Sequence, residues 1–156
     1  MVTPAMERAL ELALEARAAG DHPFGAVLEA DGAVVAEARN LVTTTHDITA
    51  HAETELVRVL EREGRLDELA RGTVHASCEP CPQCVGALFW AGARHVVFGL
   101  SAARLTELST APGEAAYGFT ITAAELGAAA TVPMRIEGPV CEERAAEAHV
   151  GFWYQT

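Results

Sequence analysis

Apolar and polar residues alternate along the first forty positions in two distinct patterns, one helical and one typical of strands. A helical pattern begins at Thr3-Pro4, which favour a helix start, and ends at Gly20. Two apolar-rich runs follow, residues 24–30 and 33–39, and the Asp31-Gly32 pair between them accepts the backbone angles of a two-residue hairpin turn. The pattern predicts one helix followed by two antiparallel strands.

The middle of the chain alternates helices with strands. A polar loop ends at Thr49, which is the expected N-cap of a helix that runs to about Gly64. Residues 73–77 and 95–100 are predicted strands on either side of a predicted helix at 82–91. A strand, a helix and a strand in this order indicate a parallel crossover, so the hairpin and the crossover together predict a mixed sheet.

The last third has a weaker pattern. Residues 101–130 are rich in Ala, Thr and Gly and predict no definite element. Residues 131–137 are a candidate fifth strand, and residues 139–150 a candidate final helix. The chain has 156 residues, half of them apolar, which suits a single domain over residues 1–156 with its own core.

The charge balance changes the picture of possible partners. All eleven basic residues are Arg, and 22 acidic residues bring the formal charge to -11. Such a field repels polyanions and acidic membrane surfaces, which argues against a nucleic-acid partner, although acidity that serves only solubility is an equal alternative. No stretch has the length and apolarity of a membrane span or a signal peptide, so we expect a cytoplasmic protein whose four cysteines are thiols or thiolates.

Two short motifs thirty positions apart carry the candidate chemistry. They are His-Ala-Glu at residues 51–53 and Pro-Cys-Pro-Gln-Cys at residues 80–84. H-x-E followed by P-C-x-x-C is the pattern of zinc-dependent nucleobase deaminases, in which three protein ligands leave a fourth zinc position open. The predicted Zn²⁺ ligands are His51, Cys81 and Cys84, and the predicted catalytic proton carrier is Glu53.

Two observations keep an alternative open. Cys78 lies three residues before Cys81, and a fourth protein ligand would make the zinc site structural and non-catalytic. His51 and Glu53 are two positions apart, which on a regular helix places them on nearly opposite sides. Helix geometry alone therefore does not predict that they converge.

Several segments together resemble the cytidine deaminase-like superfamily, and within it the bacterial guanine deaminase and nucleoside deaminase branch. The matching segments are residues 23–27, Asn40, and residues 49–53, 77–84 and 86–87. The resemblance implies an α/β fold with three layers, α-β-α, around a five-stranded mixed sheet. It also implies a zinc-dependent hydrolase and, usually, a homodimer.

The resemblance extends to candidate substrate contacts. It implies that Asn40 and the backbone near Ala26 hold the base, and that Cys78 is not a ligand. Further candidate contacts are Phe24, Trp153, Glu142 and Glu143. Either of these two glutamates, or Glu114, is a candidate second acid, although a solvated surface charge is the ordinary interpretation of each.

Two departures from regular expectation accompany the resemblance. Ile48 stands where many family members have proline, just before the zinc histidine. The tail at residues 152–156 begins with three consecutive aromatic residues. It is expected either to close the core or dimer seam, or to form a lid over the base.

These observations predict the deamination of a small aminated heterocycle, with guanine converted to xanthine and ammonia as the first choice. The small-molecule alternatives are cytosine, guanosine, cytidine and an amino-triazine such as ammeline. Two further alternatives are a tRNA-specific adenosine deaminase and a non-catalytic zinc module.

Overall fold

The computed structural model describes residues 1–154 and shows a five-stranded mixed sheet with helices on both faces. The strands are β1 (Gly25–Ala30), β2 (Ala33–Arg39), β3 (Thr73–Cys78), β4 (His95–Leu100) and β5 (Arg135–Glu137). The helices are α1 (Pro4–Ala18), α2 (Val42–Thr45), α3 (Ala52–Arg62), α4 (Pro82–Ala91), α5 (Ala102–Ser109), α6 (Ala123–Ala128) and α7 (Glu142–Ala146), with a 3₁₀ helix at Leu66–Ala70. The sheet order is β2-β1-β3-β4-β5. The predicted fold class is therefore confirmed.

The strand directions follow the predicted connections. β1 pairs antiparallel with both β2 and β3, whereas β3, β4 and β5 are mutually parallel neighbours. Asp31 and Gly32 in the hairpin have φ angles of 52° and 78°, as a tight two-residue turn requires. The parallel half matters for the site because the strand ends that precede α4 and α5 lie at the same edge of the sheet.

Two apolar clusters cover the two faces of the sheet and make the three layers. Ala26 and Leu28 of β1 belong to the cluster under α3, α4 and α6. Val27 belongs to the cluster under α1, α5 and α7, since successive strand residues point to opposite faces. Among the described residues, no helix has the length and apolarity to cross a membrane.

Helix α1 approaches the sheet most closely at Gly25, the first residue of β1. A Cβ atom there would lie 2.3 Å from the Ala9 carbonyl oxygen, so only glycine allows this packing. The Gly25 N–H donates to the Ser77 hydroxyl at 3.0 Å, which ties β1 to β3. The neighbouring Phe24 is thereby held at the edge of the sheet where the candidate site lies.

The start of α3 differs from the prediction. The N-cap is His51, not Thr49, because Thr49 belongs to the preceding turn. The N–H and the hydroxyl of Thr49 both donate to Oδ1 of Asp47, at 2.8 and 2.6 Å. The predicted N-cap was therefore wrong by two residues, and the difference proves important for the site.

The last third differs from the prediction in both directions: helices α5 and α6 form within residues 101–130, where no definite element was predicted, whereas the fifth strand and the final helix are shorter than predicted. The fifth strand covers three residues, and the final helix begins only after Cys141 because the N–H groups of Val140 and Cys141 bond to carbonyls of β4. That helix ends at Ala146, and the Arg17 guanidinium then donates to two carbonyl oxygens of the following turn. Contacts with distant elements, rather than local pattern, set these boundaries.

Candidate active site

Two helix starts meet at the carboxyl edge of the parallel strands. His51 is the N-cap of α3, and Cys81 is the N-cap of α4, and both have extended backbone angles. Neither side chain caps its own helix, so both are free to point elsewhere. Because His51 lies outside the regular helix, the separation expected for two residues two apart on a helix does not apply to His51 and Glu53.

The three predicted ligands converge as a metal site requires. Nδ1 of His51 lies 3.6 Å from Sγ of Cys81 and 3.4 Å from Sγ of Cys84, and the two sulfur atoms are 3.7 Å apart. Tetrahedral zinc with Zn–S near ~2.3 Å and Zn–N near ~2.0 Å needs about 3.8 Å between sulfurs and about 3.5 Å from sulfur to nitrogen. The donor set and its spacing therefore fit Zn²⁺.

The charge state of the sulfur atoms also suits a cation. The pKa of Cys81 is lowered to about 4, mainly by its hydrogen bond with the Cys84 thiol and also by its hydrogen bond with His51. The same contact with Cys81 raises the pKa of Cys84, so without metal the pair shares one proton. A zinc ion would replace this proton, since its ligands are thiolates.

Glu53 reaches the same pocket without joining the ligand group. It is the second residue of α3, and its exposed fraction is 7%. Burial raises the pKa of its carboxyl above the usual value, which favours a group that gains and loses a proton. Among residues 1–154, the group whose ligand atoms lie within 4.8 Å of one another consists of His51, Cys81 and Cys84.

Cys78 stands apart from the ligands although it lines the pocket. It is the last residue of β3, is fully enclosed, and burial raises the pKa of its thiol well above the usual value. Its Sγ does not belong to the group of ligand atoms that lie within 4.8 Å of one another. The geometry thus supports three ligands and not the four of a structural zinc site.

The pocket itself is small. Its volume is about 180 Å³. Apart from the residues described above, its lining comes from Phe24, Glu79 and Leu105. Phe24 was expected from the sequence as a substrate contact, whereas Glu79 and Leu105 were not.

The two missed residues have a structural connection. Glu79 accepts hydrogen bonds from the first N–H groups of α5 and α6, Ala102 at 2.9 Å and Ala123 at 2.8 Å. It thus holds in place the helix that carries Leu105. The only sequence signal for Glu79 was its position directly before the Pro-Cys-Pro-Gln-Cys motif. Leu105 lies in the region without a definite pattern, so no signal pointed to it.

Asn40 and Ala26 lie behind the pocket lining. Asn40 is buried, its N–H donates to the Phe24 carbonyl at 3.0 Å, and its Oδ1 accepts from Val42 N–H at 3.0 Å. Ala26 is buried and pairs with a residue of β2 and one of β3. Oδ1 of Asn40 already accepts one hydrogen bond, whereas its Nδ2 donates none within residues 1–154, so Nδ2 is the more available group for a contact with a base.

The acidic candidates of the last third lie away from the pocket lining. Glu142 accepts from the N–H and hydroxyl of Ser101, the N-cap of α5, and Glu143 and Glu114 are exposed. The structure does not bring these residues to the three ligands. Their predicted contact with substrate stays a prediction.

Trp153 packs beside the site instead of lining it. Its ring contacts the rings of His22, Phe24 and His149. The predicted lid spans residues 152–156, of which 155 and 156 lie outside the described residues. Trp153 therefore reaches the pocket through Phe24.

The loop before His51 is anchored by a carboxylate that sequence reasoning also missed. Asp21 is fully buried and accepts from the Thr44 N–H at 2.8 Å and from Arg39 at 3.0 Å. Burial acts to raise the pKa of Asp21, but the hydrogen bonds from Thr44 and Arg39 outweigh it and lower the pKa. Ile48, which replaces the usual proline, is exposed at the outside of this loop.

Comparison with known proteins places this site in a family. Residues 2–100 match the family described as "Cytidine and deoxycytidylate deaminase zinc-binding region". The chain belongs to this family. It is a zinc-dependent hydrolytic deaminase, and the suspected resemblance to the cytidine deaminase-like superfamily is confirmed.

Relatives of this deaminase differ in their substrates. A probable cytosine deaminase from Schizosaccharomyces pombe is 36% identical over 149 residues, 95% of this chain and 90% of the relative. The crystal structure of guanine deaminase from Bacillus subtilis is 42% identical with a TM-score of 0.58, covering 64% of each chain. A tRNA-specific adenosine deaminase from Agrobacterium fabrum is 37% identical over 94 residues, 58% of this chain and 62% of the relative.

The comparisons separate a part of the chain that the family match covers, residues 2–100, from the last third, which it does not cover. The chain spans slightly less than two thirds of the guanine deaminase and of the tRNA-specific enzyme. The family match ends at residue 100, at the end of β4. The family match therefore includes the candidate zinc site and leaves out the last third, although the likeness to the Schizosaccharomyces pombe protein extends over 95% of the chain.

Zinc binding can be tested with two cysteine variants. We expect about one zinc ion per chain, and we expect Cys81→Ser to lose it because a hydroxyl does not replace a thiolate ligand. Cys78→Ser is the matched control and should keep its zinc, since Cys78 lies outside the ligand group. Elemental analysis of the purified variants measures both. Equal zinc loss in both, with retention in His51→Ala, would contradict this ligand set.

Proposed function

We propose that this deaminase acts on a free nucleobase, with guanine as the first substrate. The observation that carries the proposal is the pocket of about 180 Å³ beside the three ligands and Glu53. Sites for drug-sized ligands are typically ~300–1,000 Å³, so this volume suits a single heterocycle. The apolar side chains of Phe24 and Leu105 offer a surface on which a flat ring packs.

The charge of the chain favours a small substrate over tRNA. Proteins that bind polynucleotides gain affinity from Lys and Arg contacts with phosphates. This chain has twice as many acidic as basic residues, 22 against eleven. An electrostatic field of this sign opposes tRNA binding and has little effect on a neutral base.

Two relatives support different bases. Guanine is first because the identity to the Bacillus subtilis guanine deaminase, 42%, is the higher of the two. Cytosine is second because the 36% identity to the probable cytosine deaminase extends over nearly the whole chain. The second likeness includes the last third, which contains Leu105 of the pocket wall.

The residues around the pocket divide the work of hydrolytic deamination. His51, Cys81 and Cys84 would hold the zinc ion, which when bound would supply Lewis acidity and lower the pKa of water toward neutrality. Glu53 would take one proton from the attacking water and pass it to a ring nitrogen, and then take the proton of the hydroxyl that has added to the base and pass it to the departing amine. One carboxylate thus serves first as base and then as acid, and the products are a carbonyl compound and ammonia.

Substrate positioning falls to the residues on the β1 side. We assign Phe24 to packing against the base and Nδ2 of Asn40 to a polar contact, supported by their mutual backbone hydrogen bond at 3.0 Å. The backbone near Ala26 supports both from the sheet. For Glu142 and Glu143 the structure offers no comparable support, so a second acid stays a prediction from the resemblance.

The substrate is tested by ammonia release from a panel of free bases, nucleosides, ammeline and tRNA. We expect product from guanine, with xanthine identified by mass spectrometry, and little from nucleosides because ribose exceeds the pocket. Product from cytosine alone would transfer the assignment to the second candidate. Inosine in tRNA, with no product from any base or nucleoside, would contradict a free-base enzyme.

The role of Glu53 is tested by Glu53→Gln. The amide keeps the shape but does not carry a proton, so turnover should fall by at least ~10²–10⁴-fold with zinc and fold retained. Glu55→Gln is the matched control, because Glu55 lies on the same helix but pairs with Arg58 outside the pocket. Its turnover should stay within a few-fold of the original. Full activity of a zinc-loaded Glu53→Gln enzyme would remove Glu53 from the mechanism.

We also propose that the deaminase is a homodimer that pairs through the outer face of α4. This helix has no charged residue, whereas a surface helix normally has a polar outer side. Trp90 on its outer face is 85% exposed and stands between two cavities of about 470 and 440 Å³. The rim carries Arg58, Glu61 and Arg62, so a twofold-related copy can place opposite charges against each other.

Dimerisation is tested with Trp90→Glu. A charge at the centre of the paired faces should convert the dimer to a monomer while zinc content is unchanged, as measured by sedimentation velocity. Tyr117→Glu is the control, since Tyr117 is at least as exposed as Trp90 but lies in the loop between α5 and α6. A wild-type monomer, or a Trp90→Glu dimer, would contradict this interface.

A further inference from the structure

A cluster of aromatic rings stands directly behind Phe24. His149 and Trp153 both contact the Phe24 ring, with centroid separations of 5.1 and 5.9 Å. The planes of His149 and Trp153 differ by only 8°, and the indole Nε1–H of Trp153 donates to Nδ1 of His149 at 3.3 Å. These two rings therefore form one unit against the outer side of Phe24.

The hydrogen bond determines the protonation of His149. An indole N–H can only donate, so Nδ1 must be the unprotonated nitrogen and Nε2 carries the proton. His149 is 1% exposed, and burial, assisted by the positive charge of Arg17, lowers its pKa to about 4. The ring is therefore neutral near pH 7, which keeps Nδ1 available as an acceptor.

A histidine at position 149 carries a free-energy cost that a purely packing role does not explain. Its Nε2–H is buried and has no hydrogen-bond partner among residues 1–154. A buried unpaired donor typically costs about 1–3 kcal/mol, which an apolar ring of similar size would avoid. The use of histidine here is explained by what its other nitrogen does, which is to hold Trp153.

Phe24 links this unit to the reaction pocket. Its ring lines the cavity that contains the three ligands and Glu53. The backbone at Phe24 is already held, since its carbonyl accepts from Asn40 N–H and the next residue bonds to Ser77. Only the ring is free to turn, and His149 and Trp153 restrict that ring from behind.

We propose that His149 is a positioning residue of this deaminase, which through Trp153 holds the Phe24 ring as a wall of the substrate pocket. The inference deepens the proposed function and rests on it. His149 does not line the pocket, and it acts through the residues between it and the base. It accounts for the aromatic tail as a support behind the pocket wall.

The test compares His149→Phe with His149→Asn. Phenylalanine keeps the ring but has no acceptor, whereas the Oδ1 of asparagine stands close to the position of Nδ1 and still accepts. We expect His149→Phe to raise the KM for guanine about tenfold with kcat and zinc content nearly unchanged, since loosened packing weakens binding without touching Glu53. We expect His149→Asn to stay within about threefold of the original KM.

A spectroscopic measurement reports the contact without any turnover. The chain has two tryptophans, so protein with ¹⁵N-labelled Trp shows two indole N–H signals, and Trp153→Phe assigns them. In His149→Phe the Trp153 indole proton should shift upfield and exchange faster with solvent, while in His149→Asn it should stay hydrogen-bonded. The Trp90 signal is the internal control and should not move.

Several outcomes would overturn the proposal. They are an unchanged KM in His149→Phe although the Trp153 signal has moved, an indole signal that is the same in wild type and His149→Phe, and zinc loss or unfolding in both variants, which would make His149 structural. A wild-type enzyme inactive on every base would instead refute the proposed function. In that case the indole signal alone decides whether His149 holds Trp153.

Discussion

The convergence of two helix N-termini is the constraint on which the site depends. The starts of α3 and α4 each carry a partial positive charge, and placing them together is unfavourable unless negative charge lies between them. Without metal the Cys81 thiolate supplies that charge, with Cys84 and Glu53 beside it, and His51 completes the donor set. The same arrangement that relieves repulsion between the helices creates a site for a cation, so the fold and the metal site stabilise each other.

Buried or capping carboxylates connect the remaining loops to this centre. Asp21 fixes the loop before His51, Glu79 joins the cysteine segment to α5 and α6, and Glu142 bonds to the N-cap of α5. Each accepts backbone N–H groups, which are the donors that helix starts and loops leave unpaired. Part of the acidic excess of the chain is therefore structural. It is not only a surface property that serves solubility or repels polyanions.

Local patterns were sufficient to predict most of the elements around the site, with α5 as the exception. The hairpin turn at Asp31-Gly32, the strands β3 and β4 and the helix α4 follow from short-range spacing, and the zinc ligands follow from two motifs. The N-cap at Thr49 was wrong because Asp47 captures its N–H and hydroxyl, a side-chain preference that competes with helix capping. The final helix was shortened because backbone groups after β5 pair with β4, which no local pattern reveals. Leu105 and Glu79 were missed for the same reason, since their place in the pocket depends on how α5 docks.

This division between local and distant contacts bears on how the enzyme selects its base. The reaction centre is built from residues 51–84, within the part shared with deaminases of cytosine, guanine and tRNA adenosine. A centre common to enzymes with different substrates does not itself distinguish one base from another. Under the proposed function, we expect discrimination to come from the lining residues outside this segment, which are Phe24 and Leu105. Leu105 lies on α5 and the Phe24 ring contacts His149 and Trp153, so we propose that the last third contributes to the choice of base.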